Sequence, residues 1–189
     1  MSQLSRDQIL TKYANGESFK NMDLTEIDLS YEKLKGADFS GANLSDAHLQ
    51  NANLEGANFT GARLKNVFLF GANLAKACFD KAYLAEGNLQ DTNLEMASFK
   101  EANLFHIKLF GVQAEKANFE NANLETRRFK RSNFKYANFQ GANLKNAHLE
   151  RSDLRSTNLN KANLSGAFMK PVQLENASMD GANTENLII

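Results

Sequence analysis

From Phe19 onward every fifth residue is Leu, Phe or Met, apart from Ala114 and Thr184, and the series ends on Ile189. Neither a helix nor a straight strand can use such a period. At about 100° per residue in a helix, five residues advance about 500°, so the large residues smear around the axis. In a strand the faces alternate with period two, so successive members of an odd series point to opposite sides. A second regularity resolves the conflict. Two positions before the large residue stands a small one, usually Ala, as at Ala37, Ala42, Ala47, Ala52, Ala57 and Ala62. A short extended stretch puts both on one side, and one bend per repeat returns the next pair to it. A chain that bends the same way each time winds into a coil. Small and large residues then point inward and the remaining positions outward.

Phenylalanine sets the number of repeats per turn. Phe19, Phe39, Phe59, Phe79, Phe99, Phe119 and Phe139 fall twenty residues apart, and Leu159 and Met179 continue the series. Four repeats per coil stack like on like, whereas three would scatter the rings around the walls. Ala114 is undersized for its column and Phe134, twenty residues on, is oversized. Stacked neighbours are expected to trade volume there, because a void in a close-packed interior is costly.

Stretches such as GADFSGANLSDAHLQNANLEGANF carry small, Asn/Asp, large, x, x without insertion. This run resembles the pentapeptide-repeat proteins, and the resemblance extends over residues 17–189. It implies an all-β fold, a right-handed quadrilateral parallel β-helix, or solenoid, of twenty residues per coil. Roughly eight to nine coils would then make a rod about 40 Å long.

Residues 1–16 lie outside the repeat and form the expected first domain, with the repeat domain at 17–189. Ser5 and Gln8 have capping-box spacing, Leu4 and Ile9 have staple spacing, and Asn15-Gly16 is a stop. The spacing predicts a short helix over 6–14, with Ile9, Leu10 and Tyr13 on the face that covers the open end of the first coil. Glycines such as Gly36, Gly41 and Gly56 fall at bends, where backbone freedom is needed. At the far end Leu187, Ile188 and Ile189 follow without a capping helix, which predicts self-association or contact with another segment, or else a frayed tail.

The outward columns carry the functional expectations. Asn103, Asn123, Asn143, Asn163 and Asn183 stack, and their amides are expected to form a structural ladder. Phe68, Phe70, Phe110 and Phe168 map to one side with Tyr31, and Phe105 with Tyr83 to the adjoining side. Outward aromatic residues predict a contact surface for a protein partner or a second copy of the chain. A basic group, Arg127, Arg128, Lys130, Arg131 and Lys135, interrupts the pattern, with Arg127 at a small inward position. Glu115, Glu120 and Glu125 are the expected offsetting charges, and a phosphate or acidic partner is the sharper reading of that patch.

Twenty-two basic and twenty-two acidic residues cancel, which argues against a nucleic-acid binder working by bulk charge. His48 and His148 share a column but stand five coils apart, His106 is on another side, and Cys78 is the single cysteine. No metal cluster, cofactor, small-molecule substrate or catalytic pair is expected. The opening residues carry no apolar run of signal or membrane length, so a cytoplasmic location is expected. The expected function is a non-enzymatic structural or protein-interaction module. The alternative, implied by some family members, is a DNA-mimicking inhibitor or protector of a topoisomerase such as gyrase.

Overall fold

A computed structural model describes residues 4–125 and 129–189. α1 spans Arg6–Ala14 and is capped as its sequence dictates: Gln8 N–H donates to Ser5 Oγ and the Gln8 side chain accepts from the Ser5 N–H. Ile9 is fully buried, and Leu4, Leu10 and Tyr13 pack partly buried against the same core. Tyr13 Oη donates to the Lys35 carbonyl at 2.9 Å, and Arg6 pairs with Glu32, so the helix is fastened to the first turns of the repeat.

Beyond α1 the chain is a parallel solenoid of fixed register. Asp23 bridges to Asn43, Asp28 to His48, Lys33 to Asn53 and Asp38 to Asn58, four bridges per turn, each to the residue twenty further on. The pairing continues in that register to Phe168 and Ile188. Each bridge uses two bonds of the slanted parallel kind, as when Leu29 N–H donates to the His48 carbonyl and His48 N–H to the Ile27 carbonyl, both at 2.8 Å. Extended structure is confined to single bridging residues, and the described residues contain no longer strand. Five residues that must include a bend leave no room for more.

The bends are hydrogen-bonded turns. Ala42 N–H donates to the Phe39 carbonyl at 3.0 Å, and Gly41 between them has φ of 66°. A left-handed residue at that place is the demand of a type II turn. The expectation that glycine meets this demand holds only in part: Asn21, Glu26 and Tyr31 adopt φ of 58°, 59° and 66° at the equivalent corners. Gly41 has a further reason to lack a side chain, because an added Cβ would lie 2.2 Å from Asn21 Oδ1 in the preceding coil.

Asn and Asp at the bridging positions close the next turn. Asn58 Oδ1 accepts from Thr60 N–H at 3.0 Å, and Asn103 Oδ1 from Phe105 N–H at 3.0 Å, each an Asx turn. The expected amide ladder forms in part: Asn143 donates to Asn123 at 3.2 Å and Asn163 to Asn143 at 3.3 Å. In the first coils aspartates take this place. Hydroxyls of Thr25 on Asp23, Ser30 on Asp28 and Ser18 on Asp38 hold these carboxyls below the usual carboxylate range. The sign follows from linkage. A depressed folded pKa means that the unfolded chain binds more protons as the medium is acidified. Stability is therefore fully present above about pH 4 and is lost as pH falls through the lower folded values. Thermal melts at neutral and strongly acidic pH test this, and Asp28→Asn should flatten the difference.

Inside, the phenylalanine column is a continuous stack. Successive centroids from Phe19 to Phe119 are separated by 5.0, 5.1, 4.6, 4.8 and 5.0 Å, with planes within 18° of parallel. That spacing is the distance between strands, so the coil pitch imposes face-on stacking where free rings prefer offset or edge contacts. The volume trade is also present: Phe134 reaches the preceding coil and meets Phe119 edge-on at 6.0 Å, beside the small Ala114.

Candidate functional site

The side that carries Phe68 breaks the rule of the turns. Phe68 and Phe168 occupy bridging positions, each pairing with the coils beside it, where the residue found most often is an Asn or Asp that can accept the N–H two residues on. A phenyl ring has no acceptor to give. What these positions gain is surface: Phe68 is 38% exposed and Phe70, on the other flank of the inward Leu69, is 42% exposed. His48 lies flat on Phe68 at 4.7 Å between centroids, so the exposed ring is held in one orientation.

Phe110 and Phe168 were expected to be equally open and are half-buried instead. Long side chains from adjacent coils cover them: the Arg131 guanidinium lies 5.7 Å from the Phe110 centroid, and His148 stacks on Phe168 at 5.8 Å. Phe105 is 37% exposed but stands apart from this group, on the adjoining side with His106 against it at 3.9 Å. Tyr31 is 73% exposed and Tyr83 42%.

The basic group divides. Arg127 and Arg128 lie outside the described residues. Lys135 turns to another side, 4.9 Å from the Tyr136 centroid. Lys130 and Arg131 join the aromatic side, and two of the expected offsetting carboxylates, Glu115 and Glu120, prove to be engaged elsewhere. Glu120 pairs with Lys100 at 2.9 Å and Glu115 with Lys116 at 3.4 Å, while Lys130 pairs with Glu150 at 2.8 Å. The stacking rule explains the change: residue 150 lies directly beneath residue 130, one coil on.

Phe110 and Phe168 bound an open groove of about 470 Å³ that runs over successive coils. Lys130, Arg131, Arg151 and Lys170 line it, with Glu150 as its carboxylate. Arg151, Lys170 and Glu150 were missed in the sequence, although their columns are legible there: 151 stacks on 131, and 150 and 170 stack on 130. Burial works against ionisation of Glu150, but hydrogen bonds from Lys130 and His148 outweigh it and hold the carboxyl below its usual range. Among the described residues no group of His, Cys, Asp and Glu is arranged to hold a metal ion, and Cys78 lies 3.3 Å from Thr60 Oγ1. Among the same residues no helix is long and apolar enough to cross a membrane.

Family models for pentapeptide repeats match residues 37–75 and 132–170, in eight copies, and a pentapeptide repeat region matches residues 67–139. The chain belongs to the pentapeptide-repeat family. Among solved structures it is similar to HetL of the cyanobacterium Nostoc sp. strain PCC 7120, a pentapeptide repeat protein involved in heterocyst differentiation regulation. The two are 25% identical over 98% of this chain and 95% of HetL, with a TM-score of 0.61. A second similar structure is QnrB1, a plasmid-mediated fluoroquinolone resistance protein, 16% identical over 87% of this chain and 90% of that one, with a TM-score of 0.45. A search of curated proteins returned no match.

Proposed function

We infer that this pentapeptide-repeat protein is a non-enzymatic interaction module that binds a protein partner through the side bearing Phe68 and Phe70. One observation carries the reading. Phe68 stands where the fold favours a turn-closing Asn, and its ring is left 38% exposed. The repeat gives up a hydrogen bond there and gains a rigid aromatic projection of the kind that anchors interfaces. A relative of the same fold, HetL, is involved in regulation, which is in keeping with recognition by contact. The groove between Phe110 and Phe168, further along the same side, is cationic, which disfavours the DNA-mimicking alternative, since that role needs a continuous anionic face.

The organisation that goes with this reading is a capping segment at 1–16 on a repeat domain at 17–189, acting in the cytoplasm. The coil is right-handed, in line with the strong preference of parallel crossovers for that hand. The double variant Phe68→Ser with Phe70→Ser tests the reading. Far-ultraviolet circular dichroism should be unchanged, and protein captured from native cell extract by the tagged chain should fall about tenfold or more, as for lost aromatic anchors. Sedimentation of the purified chain shows whether a second copy is the partner. Undiminished capture with unchanged sedimentation removes this face from consideration.

A further inference from the structure

We propose that the groove between Phe110 and Phe168 is the docking site for an acidic, extended peptide segment of the partner protein. This rests on the interaction reading above and names the chemistry of what is bound. In the groove the overall charge balance of the chain is broken locally. Four cations line it against a single carboxylate, and that carboxylate is already committed to Lys130 at 2.8 Å and His148 at 3.3 Å. Arg151 and Lys170 make no ion pair among the described residues, and both are exposed. They are free to meet a partner's carboxylates, and the planar fork of Arg151 matches such a group with two parallel bonds.

Geometry favours a peptide over a phosphate backbone. Phe110 and Phe168 stand three coils apart, about 14 Å along the axis, which an extended segment of about four residues spans. Glu150 lies between them in the stack. A polyanion running through the groove would meet that carboxylate at its midpoint. A peptide can alternate, setting acidic side chains beside Arg151 and Lys170 and an apolar one against a ring. Pro171 and the two phenyl rings supply the apolar wall.

The test is fluorescence anisotropy with a labelled Glu-Asp-Phe-Asp-Glu peptide, its Lys-Arg-Phe-Arg-Lys counterpart and a single-stranded oligothymidylate, on the full chain. The acidic peptide should bind, more weakly as salt is raised. Its affinity should fall about tenfold or more in Arg151→Glu with Lys170→Glu. It should be unaffected by Phe68→Ser with Phe70→Ser. Thermal melting checks that the variants fold, and if the charge reversal does not, Arg151→Gln with Lys170→Gln should give a smaller loss in the same direction. No binding at millimolar peptide, equal affinity in the variants, or an oligothymidylate bound as tightly as the acidic peptide would each overturn the proposal. Capture lost with Phe68 and Phe70 while the peptide fails to bind would leave the interaction reading standing and remove this one. Peptide binding with capture unchanged would keep the groove as the contact and remove Phe68 and Phe70 from it.

Discussion

Phe99→Ala is expected to lower the unfolding free energy by about 3–5 kcal/mol, the range for removing a large ring from a packed interior. Phe99 is fully buried, with Phe79 stacked on one face at 4.8 Å and Phe119 on the other at 5.0 Å. Both neighbours lose a partner. The walls cannot close over the gap, because the coils are held apart by backbone bonds such as Phe79 N–H to the Ser98 carbonyl and Phe99 N–H to the Asn118 carbonyl, both 2.7 Å. A cavity that cannot collapse puts the loss toward the upper end of the range. Urea unfolding of wild type, Phe99→Leu and Phe99→Ala provides the measurement, with the leucine variant in between. A loss below about 1 kcal/mol for alanine would mean that the column is not continuous in solution.

Ala97→Asp is expected to cost about 3–5 kcal/mol or to prevent folding, because it places an unpaired carboxylate in the interior. Ala97 is fully buried, and the residues stacked on either side of it, Ala77 and Ala117, are buried alanines too. Its own N–H is already bonded to the Leu94 carbonyl at 3.0 Å and that of Ser98 to the Ala77 carbonyl at 2.9 Å, so neither is in want of an acceptor. Ala97→Ser is the control. Buried hydroxyls are accepted at small inward positions when they can reach a carbonyl, as Ser132 Oγ reaches Leu109 at 2.8 Å and Ser152 Oγ reaches Phe129 at 3.0 Å. Thermal melting and limited proteolysis separate the outcomes. A wild-type melting temperature for Ala97→Asp would show that the small column does not face inward.

The fold was almost wholly legible in the sequence because one constraint governs it. A five-residue period admits no helix and no flat strand, and the spacing of Phe19, Phe39 and Phe59 fixes the turn at twenty residues. The helix was legible for a local reason, the reciprocal bonds of Ser5 and Gln8. Two local features were hidden. The periodic Asn and Asp read as outward polar residues, yet they close turns, a role that depends on an N–H two residues on. Corners read as glycine positions accept Tyr31 and Glu26, because each is over-determined by a turn bond and by bridges on either side.

The site was legible only as columns. Phe68 and Phe70 lie where the columns place them, but the covering of Phe110 by Arg131 and of Phe168 by His148 depends on how long side chains lean between coils. Column arithmetic gives position and not lean. The same arithmetic would have joined Lys130 to Glu150 and Lys170, had the basic residues been read down the stack instead of along the chain.

The single register of the bridges has a kinetic meaning. Each inter-coil hydrogen bond links residues about twenty apart, from Asp23 with Asn43 to Phe168 with Ile188, so closing the next loop costs the same at every step. Among the described residues none of the pairings joins the two ends of the chain. Folding of such a molecule is a nucleation followed by zipping: the first pair of coils is the slow event, and every later coil docks on a finished template. Its time to fold is set by that first pairing, not by its length.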